Sequence, residues 1–209
     1  MMDLKGEGGI VFSKKTLHDV HLIKLAWIIP LFTIIAAVLI HVLAGNVRDV
    51  PFFISEADHP GLERVVFTSG LFVSACFQCL FSIRLFFLFK QKARPRILLF
   101  ATVLGVLSSF HLAILAFADM YDHISLHIYT SMVVFHGGFC WAFLTHFALQ
   151  NPHPKGRKLR LLSLAGALIS LSVMTISIGR GVRQRRKELD TDSNIICLLY
   201  TSDAADDRM

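Results

Sequence analysis

Charge is what this chain has least of: only 17% of its 209 residues are Asp, Glu, Lys or Arg, against roughly 25% in soluble domains. No glutamate falls within any of five long apolar stretches. Polar stripes are also missing, because Val65 to Phe89 and Leu159 to Ile178 are apolar around the whole helical circumference. That excludes the one-sided helices of a water-soluble core. No ten-residue alternation of apolar and polar residues occurs, which excludes a transmembrane barrel. Cysteine is sparse at four residues. Cys76 and Cys79 form a C-x-x-C, but their Phe and Leu neighbours deny redox or zinc chemistry the polar, accessible setting it needs, so ordinary packing is expected. The basic residues sit in short clusters beside the apolar stretches. Membrane topology explains such clusters, and nucleic acid is set aside as a partner despite the +6 net charge.

What is present is hydrophobicity, at 54% of residues. A helix needs about 20 mostly apolar residues to cross about 30 Å of hydrocarbon. Stretches near residues 25–44, 65–89, 97–118, 124–148 and 159–178 all qualify. Backbone groups in lipid must be satisfied internally, so the fold class is all-α, a polytopic transmembrane helix bundle. The first stretch is longer than the apolar core of a secretory peptide and is preceded by some 24 residues, so a retained anchor is expected. The chain therefore divides into an N-terminal segment, 1–21, a bundle over 22–178, a basic polar segment at 179–196 whose origin the sequence leaves open, and a tail at 197–209. That tail reads as translated adapter sequence and is excluded from fold reasoning as non-native.

Orientation follows from the excess of Lys and Arg on cytoplasmic flanks. Placing the N-terminus in the cytoplasm puts thirteen basic residues on that side and seven on the other. Five of the seven follow the fifth span, where a sixth helix would restore the balance. The linkers at Lys90 to Arg96 and Asn151 to Lys158 are short, basic and punctuated by proline, which favours sharp reversals. On the opposite side lie the long loop from Gly45 to Arg64, carrying PFFISEADHP, and the tight acidic turn from Asp119 to His123.

Polar groups at membrane depth are costly. Arg84 lies near the cytoplasmic end of its span, where a long side chain is expected to snorkel to the interface. His41, His111, His123 and His127 all fall toward the non-cytoplasmic half, near Asp119 and Asp122. His123 and His127 are four apart and would share a helix face. With His111 they could bind zinc, Asp119 or Asp122 serving as proton acceptor, as in membrane ceramidase-like hydrolases. A bis-histidine haem between His111 and His136 is weaker, because His127 and His136 project from opposite sides of their helix. The leading expectation is neutral imidazoles hydrogen-bonded between helices, with no cofactor. Gly137, Gly138, Ser108, Ser109 and Gly166 suit close helix packing, or a groove for a lipid chain.

The pattern resembles the Frag, DRAM and Sfk family of six-helix membrane proteins. The resemblance rests on PFFISEADHP at Pro51 to Pro60 followed by Glu63, on Leu126-His127 with VVF at Val133 to Phe135, and on RKLRLL at Arg157 to Leu162. It covers about Leu22 to Ile178 and lacks the sixth helix. It implies a multi-pass endomembrane protein of the Golgi or lysosome, with the plasma membrane ranked behind them. Its branches imply autophagy modulation, remodelling of GPI-anchor lipid, or phosphoinositide organisation. The expectation is a non-catalytic lipid-handling or trafficking regulator whose partners are membrane lipids, with GPI-anchored or phosphoinositide-related partners implied by the resemblance. Glu56, Asp58, His59, His111, His123 and His127 are its candidate headgroup-binding residues. The alternative is a metal-dependent lipid hydrolase or acyl-remodelling enzyme using His111, His123, His127, Asp119 and Asp122.

Overall fold

Five helices long and apolar enough to cross a membrane occur among the described residues. They are α1 (Asp19–Leu43), α2 (Leu62–Phe89), α3 (Pro95–Leu115), α4 (Ile124–Ala148) and α5 (Gly156–Ser177). The computed structural model describes residues 2–3, 9–12, 15–46, 54–149, 156–177 and 179–180. The opening Pro51 to Phe53 of the first-loop motif, most of the α4–α5 linker and the chain beyond residue 180 lie outside the described residues.

The bundle has the all-α class that the apolar stretches dictate. Before it comes one element that periodicity does not announce: a three-stranded antiparallel sheet of β1 (Met2–Asp3), β2 (Gly9–Phe12) and β3 (Lys15–His18). β2 pairs with β3 in the register Gly9 to His18, and β1 with β2 in the register Met2 to Phe12.

Helix boundaries depart from the apolar stretches for physical reasons. α1 begins at Asp19 and α2 at Leu62, because hydrogen bonding continues past the hydrocarbon edge into polar first turns that hold Asp19 and Glu63. Acidic residues there complement the positive end of the helix dipole. α3 starts at Pro95, whose missing N–H costs nothing in a first turn. α1 tolerates Pro30 in its interior, as transmembrane helices do where neighbours re-satisfy the backbone.

The chain forms two compact units, Met1–Leu164 and Ala165–Met209. Within the first, α1 packs on α2, α2 on α3 and α3 on α4. Its core is thin. Ala37, Ala57, Phe67, Leu71, Ala75, Leu112, Leu115 and Ala116 cluster toward the α1–α2 loop, and Ala93, Leu98 and Ala148 cluster at the other end. Large apolar groups point outward instead, with Trp27 72% exposed and Phe32, Phe100 and Phe110 similarly bare. Small residues inside and large ones outside suit a lipid solvent, where helices associate by close packing. Gly105 shows why: a Cβ there would lie 2.5 Å from Ser82 Oγ and 2.6 Å from Trp141 Cδ1. Gly137 is equally pressed, against Ser108 Oγ, whereas Gly138 faces open space.

Snorkelling of Arg84 is corrected by the structure. Its side chain is 2% exposed and its Nε donates to Asp19 Oδ1 at 2.7 Å. A carboxylate from the first turn of α1 satisfies the guanidinium inside the protein, so the side chain has no need to reach water.

Candidate functional site

A cluster of buried charged groups, the cap, lies at the end where the α1–α2 and α3–α4 connections lie. Glu63, in the first turn of α2, is 3% exposed. Its Oε1 accepts a 2.9 Å hydrogen bond from Asn46 Nδ2, and the Nδ1 atoms of His41 and His59 each lie 3.6 Å away. Gly61 makes this approach feasible. Its φ of +156° is a conformation that L side chains rarely adopt, and a Cβ there would come within 2.7 Å of Glu63 Oε2.

Arg64 lies one residue further and faces a second cluster. Its Nη2 and Nε donate to the Asp58 carbonyl at 3.2 and 3.3 Å. The same guanidinium lies 3.6 Å from Asp58 Oδ1 and 3.6 Å from Asp119 Oδ2, so one cation bridges the two connections. Asp119 Oδ1 also accepts the backbone N–H groups of Tyr121 and Asp122, at 2.9 and 2.6 Å, which fixes the tight turn before α4. Tyr121 Oη donates to the Glu56 carbonyl at 3.1 Å and its ring packs edge-on to His59.

Burial pushes both carboxylates upward, but their partners leave them on opposite sides of the ordinary range. Asp58 is 1% exposed. Desolvation raises its pKa to about 6, with Asp119 adding to the rise and Arg64 opposing it. Desolvation also pushes Asp119 upward, but the backbone N–H groups of Asp122 and Tyr121, with Arg64 and His123, leave it below the ordinary carboxylate range.

The sequence-predicted residues separate into four groups. Glu56, Asp58 and His59 come together with Asp119 in the cap. His127 is buried and its Nδ1 lies 2.6 Å from the Ala118 carbonyl, anchoring the turn. His123, the residue before α4, is exposed, as is Asp122, so His123 and His127 do not share a helix face. His111 is held by the Leu107 carbonyl at 2.9 Å and packs against Tyr129. Its intended haem partner, His136, is bound to the Met132 carbonyl in the same way. Among the described residues no group of three or more His, Cys, Asp and Glu side chains converges as metal ligands would.

Arg64 and Asn46 are the cap residues that sequence reasoning passes over. Arg64 counts there only toward orientation, although its place beside Glu63 at a span boundary, on the same side as the acidic turn, is the available signal.

A bundle of apolar helices with a greasy outer surface, its charged groups kept to the helix ends and connections, is a multi-pass integral membrane protein. Its kinship is equally plain: the model of the family described as Frag1/DRAM/Sfk1/Cwh43P N-terminal domain matches residues 11–199, so the chain belongs to that family. No curated protein matches it significantly. Nor does any solved structure.

Proposed function

We propose that this protein is a non-catalytic regulator of lipid handling or membrane trafficking in the endomembrane system, in the manner of DRAM-like or Frag-like members of its family. The observation that carries the reading is the cap. Arg64, Asp58 and Asp119 lock the two connections together, while Glu63, His41, His59 and Asn46 fasten the first connection to α1 and α2. Such a closed polar lid suits recognition of a lipid headgroup or glycan at its exposed rim, at His59, Tyr121, Asp122 and His123, better than it suits bond cleavage. The cap then faces the lumen of Golgi or lysosome and the N-terminus faces the cytoplasm. Membrane lipids are the partners, with GPI-anchored or phosphoinositide-linked components as the family's branches suggest.

The hydrolase alternative requires His111, His123 and His127 to meet around zinc, and the geometry does not bring them together. Metal analysis separates the two readings. The purified full chain is expected to hold no stoichiometric zinc, and zinc lost on His127→Ala would overturn the regulator reading. Protease access to tags on either terminus, in sealed Golgi and lysosomal vesicles, tests orientation and compartment. A cytosolic cap or an exclusively plasma-membrane location would defeat the placement.

A further inference from the structure

Helix-borne hydroxyls and imidazoles in this bundle usually satisfy themselves. Ser74, Ser109 and Thr130 donate to the carbonyl four residues back, and His111 and His136 place Nδ1 against theirs. Thr145 and His146, near the end of α4, break the habit. They are 9% and 8% exposed, yet Thr145 Oγ1 and His146 Nδ1 have no hydrogen-bond partner among the described residues. Arg160, in the second turn of α5, does the same, with buried and unpartnered Nε and Nη2. Arg157 stands three residues earlier, in the first turn of the same helix, so both cations lie at the same end of the bundle as His146. Buried polar atoms of this kind are unfavourable unless something hydrogen-bonds to them.

Among the carboxylates whose side chains the structure describes, none fills that role. Asp19 is held by Arg84. Glu56, Asp58, Glu63, Asp119 and Asp122 belong to the cap at the opposite end. The α2–α3 turn packs against this end of α4, since Arg94 N–H donates to the Ala148 carbonyl at 2.9 Å and Ala93 bridges to Leu149. The first turn of α5 contributes the positive end of its dipole and backbone N–H groups that have no intrahelical partner. A guanidinium fork, an imidazole, a hydroxyl and a second cation together call for an acceptor with three oxygens and more than one negative charge. A carboxylate has too few oxygens, and a phosphate monoester matches.

We propose that Thr145, His146, Arg157 and Arg160 form a phosphate-binding site at the end of the bundle opposite the cap, which takes either the headgroup of a phosphomonoester lipid or free phosphate. The site stands apart from the cap and does not depend on the function proposed for it.

The test uses the full chain in nanodiscs of phosphatidylcholine with or without phosphatidic acid, read by native mass spectrometry. Wild type is expected to retain phosphatidic acid preferentially. Arg160→Gln should weaken retention about tenfold, the usual effect of one charge-assisted hydrogen bond. Arg157→Gln, an exposed change that leaves packing intact, should weaken it several-fold and decides the matter if Arg160→Gln does not fold. Arg96→Gln removes a charge from the same end and should have no effect. Displacement of the lipid by millimolar inorganic phosphate would identify free phosphate as the ligand, and resistance to displacement would identify the lipid headgroup. Equal retention of both lipids, unchanged binding in Arg157→Gln, or an equal loss in Arg96→Gln would overturn the site.

Discussion

Arg84 and Asp19 meet through two hydrogen bonds, Nε to Oδ1 at 2.7 Å and Nη2 to Oδ2 at 3.2 Å, and so tie the last turns of α2 to the first turn of α1. The fork geometry matches a planar guanidinium to a planar carboxylate. Removing one partner strands the other, and breaking a buried pair costs about 3–5 kcal/mol. Arg84→Ala and Asp19→Ala should each lower the thermal midpoint in detergent sharply, while the double replacement Arg84→Leu with Asp19→Leu should recover much of the loss. Additive losses would show that the pair is not coupled.

The cap should respond to pH through Asp58. Its folded pKa of about 6 lies above the ordinary 3.8, so ionisation of Asp58 opposes folding. Its effect is absent below pH 4, grows from 4 to 6, and is complete above 6. Asp58→Asn mimics the neutral form. The variant should therefore exceed wild type in thermal midpoint at pH 7.5, and the gap should close as pH falls through 6 toward 4. Asp119 contributes in the opposite sense, because its lowered pKa gives stability that is lost as acid protonates it. Asp119→Asn should accordingly be destabilised most at neutral pH. A constant gap between wild type and Asp58→Asn across this range would refute the assignment.

Gly61→Ala should loosen the first connection without removing a charged group. An added Cβ would collide with the Glu63 carboxylate and would occupy a backbone conformation costing about 1–3 kcal/mol. Limited proteolysis between α1 and α2 should accelerate. Glu63→Gln should show a milder version of the same change, since it keeps the shape but loses the charge that His41 and His59 surround.

Gly105→Val is expected to push α3 away from Ser82 and Trp141 and to destabilise the bundle by about 1–3 kcal/mol, as overpacking does. Gly138→Ala serves as the control, since its Cβ would enter open space. Equal stability of the two variants would show that the close approach at Gly105 is dispensable.

Much of this architecture was legible because lipid imposes a length and a polarity on each span. The fourth stretch, residues 124–148, coincides with α4, and the others differ from their helices by a few residues at the ends. Those ends are polar, and hydropathy is blind to a helix that continues into water. The candidate site was legible only in part. Asp58, His59 and Asp119 share one side of the membrane by topology alone, yet which of them touch Arg64 depends on the turn that Asp119 itself builds. His123 and His127 illustrate the failure. Spacing of four means a shared face only inside a helix, and α4 starts one residue after His123.

By itself the sequence determined the solvent of this protein and the places of the five apolar helices among the described residues, because the free energy of placing a residue in hydrocarbon depends mainly on that residue and its near neighbours. Tertiary structure alone decided that Arg84 is neutralised by a carboxylate 65 positions away, that Arg64 joins two connections, and that buried polar atoms of Thr145, His146 and Arg160 have no hydrogen-bond partner among the described residues. The reason is that an ion pair or an orphaned donor is a property of the distance between helices, and that distance is set by packing at glycines such as Gly105 rather than by the order of residues along the chain.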